Sequence, residues 1–191
     1  MQDKTKDARA ESVLRAAAEE FAHRGYAATT YSTIAQRVGM HRNALQYYAP
    51  SKPELAVAII ERPFENGTFG SALAVPPHGV AGTIEALTQV AERYLTDTFA
   101  HASVRLMMER EIIPLEIREP FRHWRVQMKV LLHQGVDDGE LDASLDLEDL
   151  SFRLIGAVNG IIRLCESLNE LDQLPGRVER TVTEMLRAHR P

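Results

Sequence analysis

The sequence predicts an all-α protein with a small helical head in front of a larger helical body. Apolar residues recur at spacings of three and four along nearly the whole chain of 191 residues, which is the period of an amphipathic helix. No segment shows the strict apolar and polar alternation of a half-buried strand. Near residue 40, two short helical segments are joined by a glycine, an arrangement typical of a helix-turn-helix.

The first helix is predicted over residues 8–24, because its apolar side chains share one face: Val13, Leu14, Ala17, Ala18 and Phe21. Gly25 follows the last turn, where a left-handed residue commonly ends a helix. The second helix covers 30–38, with Thr29-Thr30 offering the capping hydroxyl and with a core face of Ile34, Ala35 and Val38. Gly39 makes the turn. The third helix covers 41–48, with Ala44 and Leu45 facing inward.

The fourth helix begins at a strong start signal. Ser51 is a suitable N-cap, Pro53 lies in the first turn and Glu54 completes a capping box. Its predicted apolar face consists of Leu55, Ala58 and Ile59, and Pro63 ends or kinks it. Glycine and proline residues then crowd residues 66–79, which we interpret as a loop. Five further helices are predicted, over 80–98, 101–113, 118–137, 146–168 and 174–188.

The charge of the chain is unevenly distributed. Residues 1–52 contain eight Lys or Arg and five Asp or Glu, a net charge of +3, although the whole chain carries −5. A basic segment on an acidic protein indicates contact with nucleic acid, while an ordinary solvated surface is the alternative. The second helix of a helix-turn-helix enters the major groove of DNA. We therefore expect a double-stranded DNA operator as partner.

The residue types on the short helices suit DNA recognition. Arg pairs with guanine, and Asn or Gln pairs with adenine, through two hydrogen bonds each. Hydroxyl groups and Lys bind phosphates. The candidate DNA-binding residues are Thr29, Thr30, Thr33, His41, Arg42, Asn43, Gln46, Tyr47, Tyr48 and Lys52. A solvated surface helix with polar residues remains the alternative.

About fifty residues in register, from Leu14 to Leu55, resemble the N-terminal domain of the TetR family of transcriptional repressors. The resemblance rests on residues that include Gly25-Tyr26, Thr29-Thr30, Ile34-Ala35, Val38-Gly39 and Ser51-Lys52. It implies about nine helices, with a DNA-binding domain at 1–50 and a ligand-binding and dimerisation domain at 51–191. It also implies a homodimer on a palindromic operator.

Several positions depart from the family pattern. The family usually has Ser or Thr at His41, Gly at Asn43, Tyr at Gln46 and His at Tyr48. An atypical set of side chains on the third helix predicts an unusual operator sequence. The family also usually has Phe at Ala49, so we expect the head to be less fully packed.

A narrower resemblance, to the γ-butyrolactone receptors and their relatives that sense furans or butenolides, covers residues 103–178. It rests on Val104-Arg105-Leu106, Glu109-Arg110, Trp124, Gly139-Glu140-Leu141 and Gly156-Ala157-x-x-Gly160. Members of this branch repress antibiotic and signal-biosynthesis genes in actinomycetes. In them, a Trp at the position of Trp124 lines the effector pocket, and a polar residue at the position of Asn159 bonds the effector.

The residues themselves are compatible with such a pocket. Trp offers an apolar face with one N–H donor, and Gln and Asn each donate and accept. The candidate effector-binding residues are Trp124, Gln127, Asn159, Met107, Tyr94, Met128 and Ile162. Ordinary core packing, or for Asn159 a backbone or dimer-interface hydrogen bond, is the alternative.

We expect the dimer to form through residues 146–188, as an antiparallel arrangement of two helices from each subunit. Gly156 and Gly160 lie one turn apart and would let helices approach closely. The alternative is that they pack on the core of their own chain.

Other classes of protein are less well supported. The carboxylates near 137–149 lie at a turn and a helix start, where acidic residues are favourable anyway. The chain has neither a nucleophile motif nor a phosphate-binding loop, and it has a single Cys. We expect no enzyme activity, no metal and no cofactor. The polar start and the lack of a long apolar run predict a cytoplasmic protein without a membrane span. A TetR-type repressor of an efflux pump, sensing hydrophobic or cationic drugs, is the second candidate.

Overall fold

The computed structural model describes residues 2–49, 51–62, 78–116 and 120–191, and within them it contains nine α-helices and no strand. The predicted fold class is confirmed. The helices are α1 (Gln2–Ala28), α2 (Tyr31–Arg37), α3 (Arg42–Leu45), α4 (Lys52–Glu61), α5 (Gly79–Thr96), α6 (Thr98–Met108), α7 (Pro120–Asp137), α8 (Leu147–Leu168) and α9 (Leu174–Arg187). Pro63 and residues 66–77 of the predicted loop lie outside the described residues.

Two compact units make up the chain. Unit 1 comprises Met1–Glu65 with Thr96–Pro120, and unit 2 comprises Asn66–Leu95 with Phe121–Pro191. Unit 1 therefore combines the predicted head with α4 and α6, and unit 2 holds α7, α8, α9 and nearly all of α5.

In unit 1, the long helix α1 packs against α2, α4 and α6. Its buried face includes Val13, Ala17 and Phe21, as the apolar spacing predicts. The helix is interrupted at Gly25, whose φ of 74° has the predicted sign. Its ψ of 178° is extended, however, and not that of a left-handed helical residue. Gly25 therefore breaks α1 near its end, in a region of backbone space that is essentially restricted to glycine.

The starts of α2 and α4 follow the sequence signals. Thr30 caps α2, with its hydroxyl accepting from the Thr33 amide at 3.1 Å. Gly39 has a φ of 64°, which confirms the glycine turn. Ser51 caps α4 by accepting from the Glu54 amide, and its own hydroxyl donates to the Glu54 carboxylate at 2.9 Å. Each cap satisfies a backbone N–H that the helix leaves without a partner.

Three predicted details of α3 and α4 are wrong. Helix α3 ends at Leu45, and tighter turns carry the chain to Ala49, because Tyr48 N bonds Leu45 O. Ala44 is exposed, so only Leu45 of the predicted inward pair is buried. Ala58 is also exposed, because the buried face of α4 consists of Leu55, Ala56, Ile59 and Ile60.

The core of unit 2 consists of the buried faces of its helices. The buried α5 face includes Leu87, Val90 and Tyr94, whereas Leu95 is exposed. The predicted helix over 80–98 ends at Thr96, because Asp97 caps a new helix by accepting from the amides of Phe99 and Ala100. Helices α8 and α9 pack against each other. Their buried residues include Leu154 and Val158 on α8, and Val178 and Val182 on α9.

Candidate nucleic-acid interface and effector site

The candidate DNA-reading face lies on α3 and the turns around it. His41, Arg42, Asn43, Gln46 and Tyr47 are exposed, and Tyr48 is half-buried. Beneath them Leu45 is fully buried in the head. The structure thus brings these six predicted residues together on one short, well-anchored segment.

A backbone contact helps to fix the end of this segment. The Tyr31 hydroxyl donates to the carbonyl of Ala49, which follows the reading face. Burial raises the pKa of the Tyr31 hydroxyl, and the charge of Arg42 acts in the opposite direction. The hydroxyl therefore stays protonated and remains a donor at neutral pH.

The two tyrosines at the end of this face touch each other and a lysine. Their rings meet edge to face, with centroids 5.2 Å apart. The Lys6 ammonium lies 5.0 Å from the centroid of the Tyr47 ring, a cation–π distance. Lys6 is a basic residue beside the reading face that the sequence interpretation missed. Its only sequence signal was the excess of positive charge in residues 1–52.

The Thr29 side chain does not face solvent, as a phosphate contact would require. Thr29 is completely buried, and its hydroxyl donates to the Gly25 carbonyl at 2.7 Å. It closes the end of α1 and does not face solvent, so the predicted phosphate contact by this side chain is wrong for this conformation. Thr30 is exposed and Thr33 is half-buried, and both take part in the cap of α2.

Lys52 is also held within unit 1. Its ammonium donates to the carbonyls of Tyr26 and Thr29, each at 2.8 Å, and lies 3.9 Å from the centroid of the Tyr26 ring. Burial lowers the pKa of the Lys52 ammonium, and the charge of Glu109 acts in the opposite direction. Two of its three N–H donors are therefore engaged inside the protein, and phosphate binding by Lys52 stays a prediction.

A cavity of about 410 Å³ lies in unit 1. Its walls include Val13 of α1, Tyr48 and Ala49 of the turn after α3, and Leu55 of α4. Ala49 is buried, and the cavity beside it opens to solvent. The lower packing of the head at Ala49 stays a prediction.

The candidate effector residues divide between the two units. Tyr94, Trp124, Met128 and Ile162 are buried in unit 2, each at most 4 % exposed, and Gln127 and Asn159 are half-buried there. Met107 is buried too, but in unit 1. None of the seven lines either of the two cavities described in this section.

Polar groups are present among the buried residues of unit 2. The Tyr94 hydroxyl donates to Glu166 at 2.5 Å. The Asn159 amide nitrogen donates to the Ile155 carbonyl at 2.9 Å, one turn earlier on α8. The Asn159 carbonyl oxygen is buried without a hydrogen-bond partner. A buried acceptor in this state costs about 1–3 kcal/mol, and a ligand with a donor group would relieve that cost.

Helix α8 carries large apolar side chains that are exposed to solvent. Phe152, Leu164 and Leu168 are each more than half exposed. Between them, a Cβ atom at Gly156 or Gly160 would meet no atom within 4 Å. The two glycines therefore do not pack on the described core of their own chain, which removes the alternative left open by the sequence.

A second cavity, of about 480 Å³, lies in unit 2 between α5 and α9. Three of its lining residues are acidic, namely Glu85, Glu92 and Glu179, and Ile84 and Thr88 also line it. It is an open, acidic groove, unlike the buried surroundings of Trp124.

The described ranges show no arrangement typical of a metal site or of a membrane span. No group of three or more His, Cys, Asp or Glu residues there is arranged to hold a metal ion. In the same parts of the chain, no helix is long and apolar enough to cross a membrane.

Known proteins resemble this chain in both sequence and fold. Residues 13–59 match the family of bacterial regulatory proteins named tetR. The HTH-type transcriptional repressor KstR2 of Rhodococcus jostii (strain RHA1) is 30 % identical over 159 residues, which are 78 % of this chain and 76 % of that protein.

Solved structures extend the likeness to nearly the whole chain. One, described as the molecular basis for control of antibiotic production by bacterial hormones, has a TM-score of 0.81 and 27 % identity and covers 96 % of this chain and 98 % of its own. Two others are similar in fold alone. A γ-butyrolactone receptor has a TM-score of 0.68 at 22 % identity, covering 91 % and 98 % of the two chains. SmeT, the repressor of a Stenotrophomonas maltophilia multidrug efflux pump, has a TM-score of 0.75 at 23 % identity. The match covers 94 % of this chain and 89 % of SmeT.

Proposed function

Because this chain belongs to the tetR family of bacterial regulatory proteins, we propose that it is a ligand-responsive transcriptional repressor. It binds a palindromic operator as a homodimer, and a small lactone- or furan-type signalling molecule releases it. The observation that carries the proposal is the exposed row of Arg42, Asn43 and Gln46 on a short helix seated on a buried Leu45. These are the side-chain types that read base edges in the major groove.

In this proposal the functional division lies at residue 50. DNA is read by residues 1–50, and residues 51–191 bind the effector and form the dimer. Helices α4 and α6 belong to the second region by function although they pack with the head. A change in α4 or α6 therefore acts directly on the part of the protein that reads DNA.

The dimer supplies the second reading head that a palindrome needs. The exposed apolar side chains of α8 support it, because Phe152, Leu164 and Leu168 lie on either side in sequence of two glycines that leave room for a partner helix. An exposed apolar patch of this kind usually marks an interaction site. We assign the homodimer contact to residues 146–188.

The effector site is assigned to unit 2, around Trp124, Gln127 and Asn159. The Asn159 carbonyl oxygen supports it, because it is a buried acceptor without a hydrogen-bond partner. Pockets for small molecules are commonly apolar with a few polar groups that fix orientation. The similar structure that concerns bacterial hormones and antibiotic production favours a signalling molecule as effector. An effector releases DNA only if it binds the DNA-free conformation more tightly.

The DNA-binding part is tested by selection from a random duplex library. We expect the full chain to enrich a palindromic sequence, because two identical heads read two half-sites. Failure to enrich any sequence would overturn the repressor proposal.

The dimer is tested with Phe152→Glu, compared with Ile112→Glu as a matched change at another exposed apolar residue. We expect Phe152→Glu to give a monomer in light scattering and to weaken operator binding strongly, because a charge then lies in the interface. Ile112→Glu should leave the mass unchanged. A Phe152→Glu variant that stays dimeric would contradict the assigned interface.

The effector class is tested by thermal shift with butyrolactones, furans, butenolides and cationic dyes. We expect the oxygen heterocycles to raise the melting temperature and to release the selected operator. Asn159→Ala should reduce the shift, because the buried acceptor is removed.

The second candidate is a repressor of an efflux pump that senses hydrophobic or cationic drugs. The groove lined by Glu85, Glu92 and Glu179 favours it, because carboxylates attract cations. SmeT shares the fold. A thermal shift with the dyes alone would support this candidate over the first.

A further inference from the structure

Two charged residues at the end of α6, Arg105 in its last turn and Glu109 just after it, have no part in the proposed function. Arg105 and Glu109 lie one turn apart on the same side of α6 and form an ion pair, with Arg105 Nε 3.4 Å from Glu109 Oε1. Their side chains are only 26 % and 22 % exposed. Most ion pairs between residues one turn apart on a helix are well exposed and contribute little. The partners of this pair indicate a different role.

The partners lie where α1 is broken. In an unbroken helix, the Tyr26 N–H would donate to the carbonyl of Ala22, four residues earlier. Gly25, with φ 74° and ψ 178°, turns the chain out of the helical path just before Tyr26. Backbone groups at such a break need other partners, because an unpaired buried N–H or C=O is costly.

The Arg105–Glu109 pair binds both of these groups. The Glu109 carboxylate accepts from the Tyr26 N–H at 2.7 Å. The Arg105 guanidinium donates to the Ala22 carbonyl at 2.8 Å and to the His23 carbonyl at 3.3 Å. The charged pair at the end of α6 thus takes the place of a backbone hydrogen bond of α1. Glu109 accepts from the Tyr26 N–H, and Arg105 donates to the Ala22 carbonyl.

The fit at this point is close. A Cβ atom on residue 25 would overlap the Glu109 carboxylate and displace it from the Tyr26 N–H, and the φ of 74° itself favours glycine. On the other side of the break, Lys52 of α4 binds the carbonyls of Tyr26 and Thr29. Side chains from α4 and α6 therefore determine how the chain leaves α1 and enters α2.

We propose that Arg105 and Glu109 are positioning residues for DNA binding. By holding the break at Gly25, they fix the path from α1 into α2 and hence the orientation of the reading helix α3. Neither residue contacts DNA. The inference rests on the proposed DNA-binding function, and it makes the end of α6 a determinant of operator affinity.

The experiment compares Arg105→Ala and Glu109→Ala with matched changes at the exposed neighbours, Arg110→Ala and Glu111→Ala. Fluorescence anisotropy with the operator selected by the wild-type full chain measures affinity. Amide hydrogen exchange measures the Tyr26 N–H. We expect each of the first two variants to bind the operator about tenfold more weakly or worse, since a charge-assisted hydrogen bond is lost. Glu109→Ala should also speed exchange at Tyr26, and the neighbouring variants should match wild type.

A conservative variant separates positioning from general loss of structure. Glu109→Gln keeps a carbonyl oxygen for the Tyr26 N–H, so it should recover most of the affinity and of the Tyr26 protection. It also decides the matter if the alanine variants fold poorly. Wild-type affinity in Glu109→Ala and Arg105→Ala would overturn this inference and leave the proposed function intact. A wild-type chain that selects no DNA would instead overturn the proposed function itself, and Tyr26 exchange would then report only on the local contact.

Discussion

The reading face of α3 and the candidate effector residues of unit 2 are opposites in exposure. His41, Arg42 and Asn43 stand in solvent, whereas Trp124 and Met128 are among the least exposed residues of the chain. A surface that meets a rigid duplex can be complete before its partner arrives. The candidate effector residues line neither of the two described cavities, so a site there requires their side chains to move apart when the molecule binds. The difference teaches that an exposed site is defined by its residues, whereas a buried one is defined by how its residues move apart.

Truncation of the lone tryptophan should give the largest effect. Trp124→Ala is expected to destabilise unit 2 by about 3–5 kcal/mol, because it removes a buried aromatic side chain. If Trp124 also lines the effector site, the thermal shift with effector disappears while operator affinity is retained. The measurements are chemical denaturation, thermal shift and anisotropy. Loss of operator binding in a folded variant would contradict the separation of the effector residues from the reading face of α3.

Arg42→Ala tests the exposed reading face of α3. We expect a loss of about 1–3 kcal/mol in operator binding that is confined to one base position, because a bidentate contact to a base is removed. Stability should not change, since the side chain is exposed. Binding to a set of operators with single base changes measures this. Equal weakening on all sequences, with a smaller dependence on salt, would instead make Arg42 a phosphate contact.

Thr29→Val removes a hydroxyl that the structure assigns to the interior. The change keeps the side-chain shape but leaves the Gly25 carbonyl without this donor. The free energy of unfolding should therefore fall by about 1–3 kcal/mol. The salt dependence of DNA binding should be the same as in wild type. A shallower salt dependence would restore Thr29 as a phosphate contact.

The smallest expected effect is on the pH dependence of stability, through the ion pair of Glu11 with Arg62. Hydrogen bonds from Arg62 hold the pKa of Glu11 below its ordinary value of 4.5, and burial acts in the opposite direction. A lowered pKa means that the ionised carboxylate stabilises the folded head, and that this contribution is lost as pH falls from 4.5 through the folded pKa. Wild type should exceed Glu11→Gln by about 0.2–1 kcal/mol at pH 7, as expected for a partly exposed ion pair. The difference should vanish in strong acid, as measured by thermal unfolding against pH.

The head and the start of α4 could be predicted more fully from the sequence than unit 2. The caps at Thr30 and Ser51 and the turn at Gly39 are local features, and they occur at the predicted residues. The end of α3 at Leu45 and the burial of Thr29 were missed, because both depend on contacts within the folded head. The Arg105–Glu109 pair was noted only as a motif, since its partners lie more than eighty residues earlier in the chain. In unit 2, periodicity predicted which helices form, but it does not distinguish a core side chain from one that meets an effector.

The chain contains one tryptophan, and it lies buried in unit 2. Excitation at the red edge of protein absorbance therefore selects a single chromophore, and its emission reports on unit 2 alone. Circular dichroism, by contrast, averages over the helices of both units. Melting curves from the two signals coincide only when the units unfold together. The protein thus carries an intrinsic optical probe of the cooperativity between its two units, without any added label.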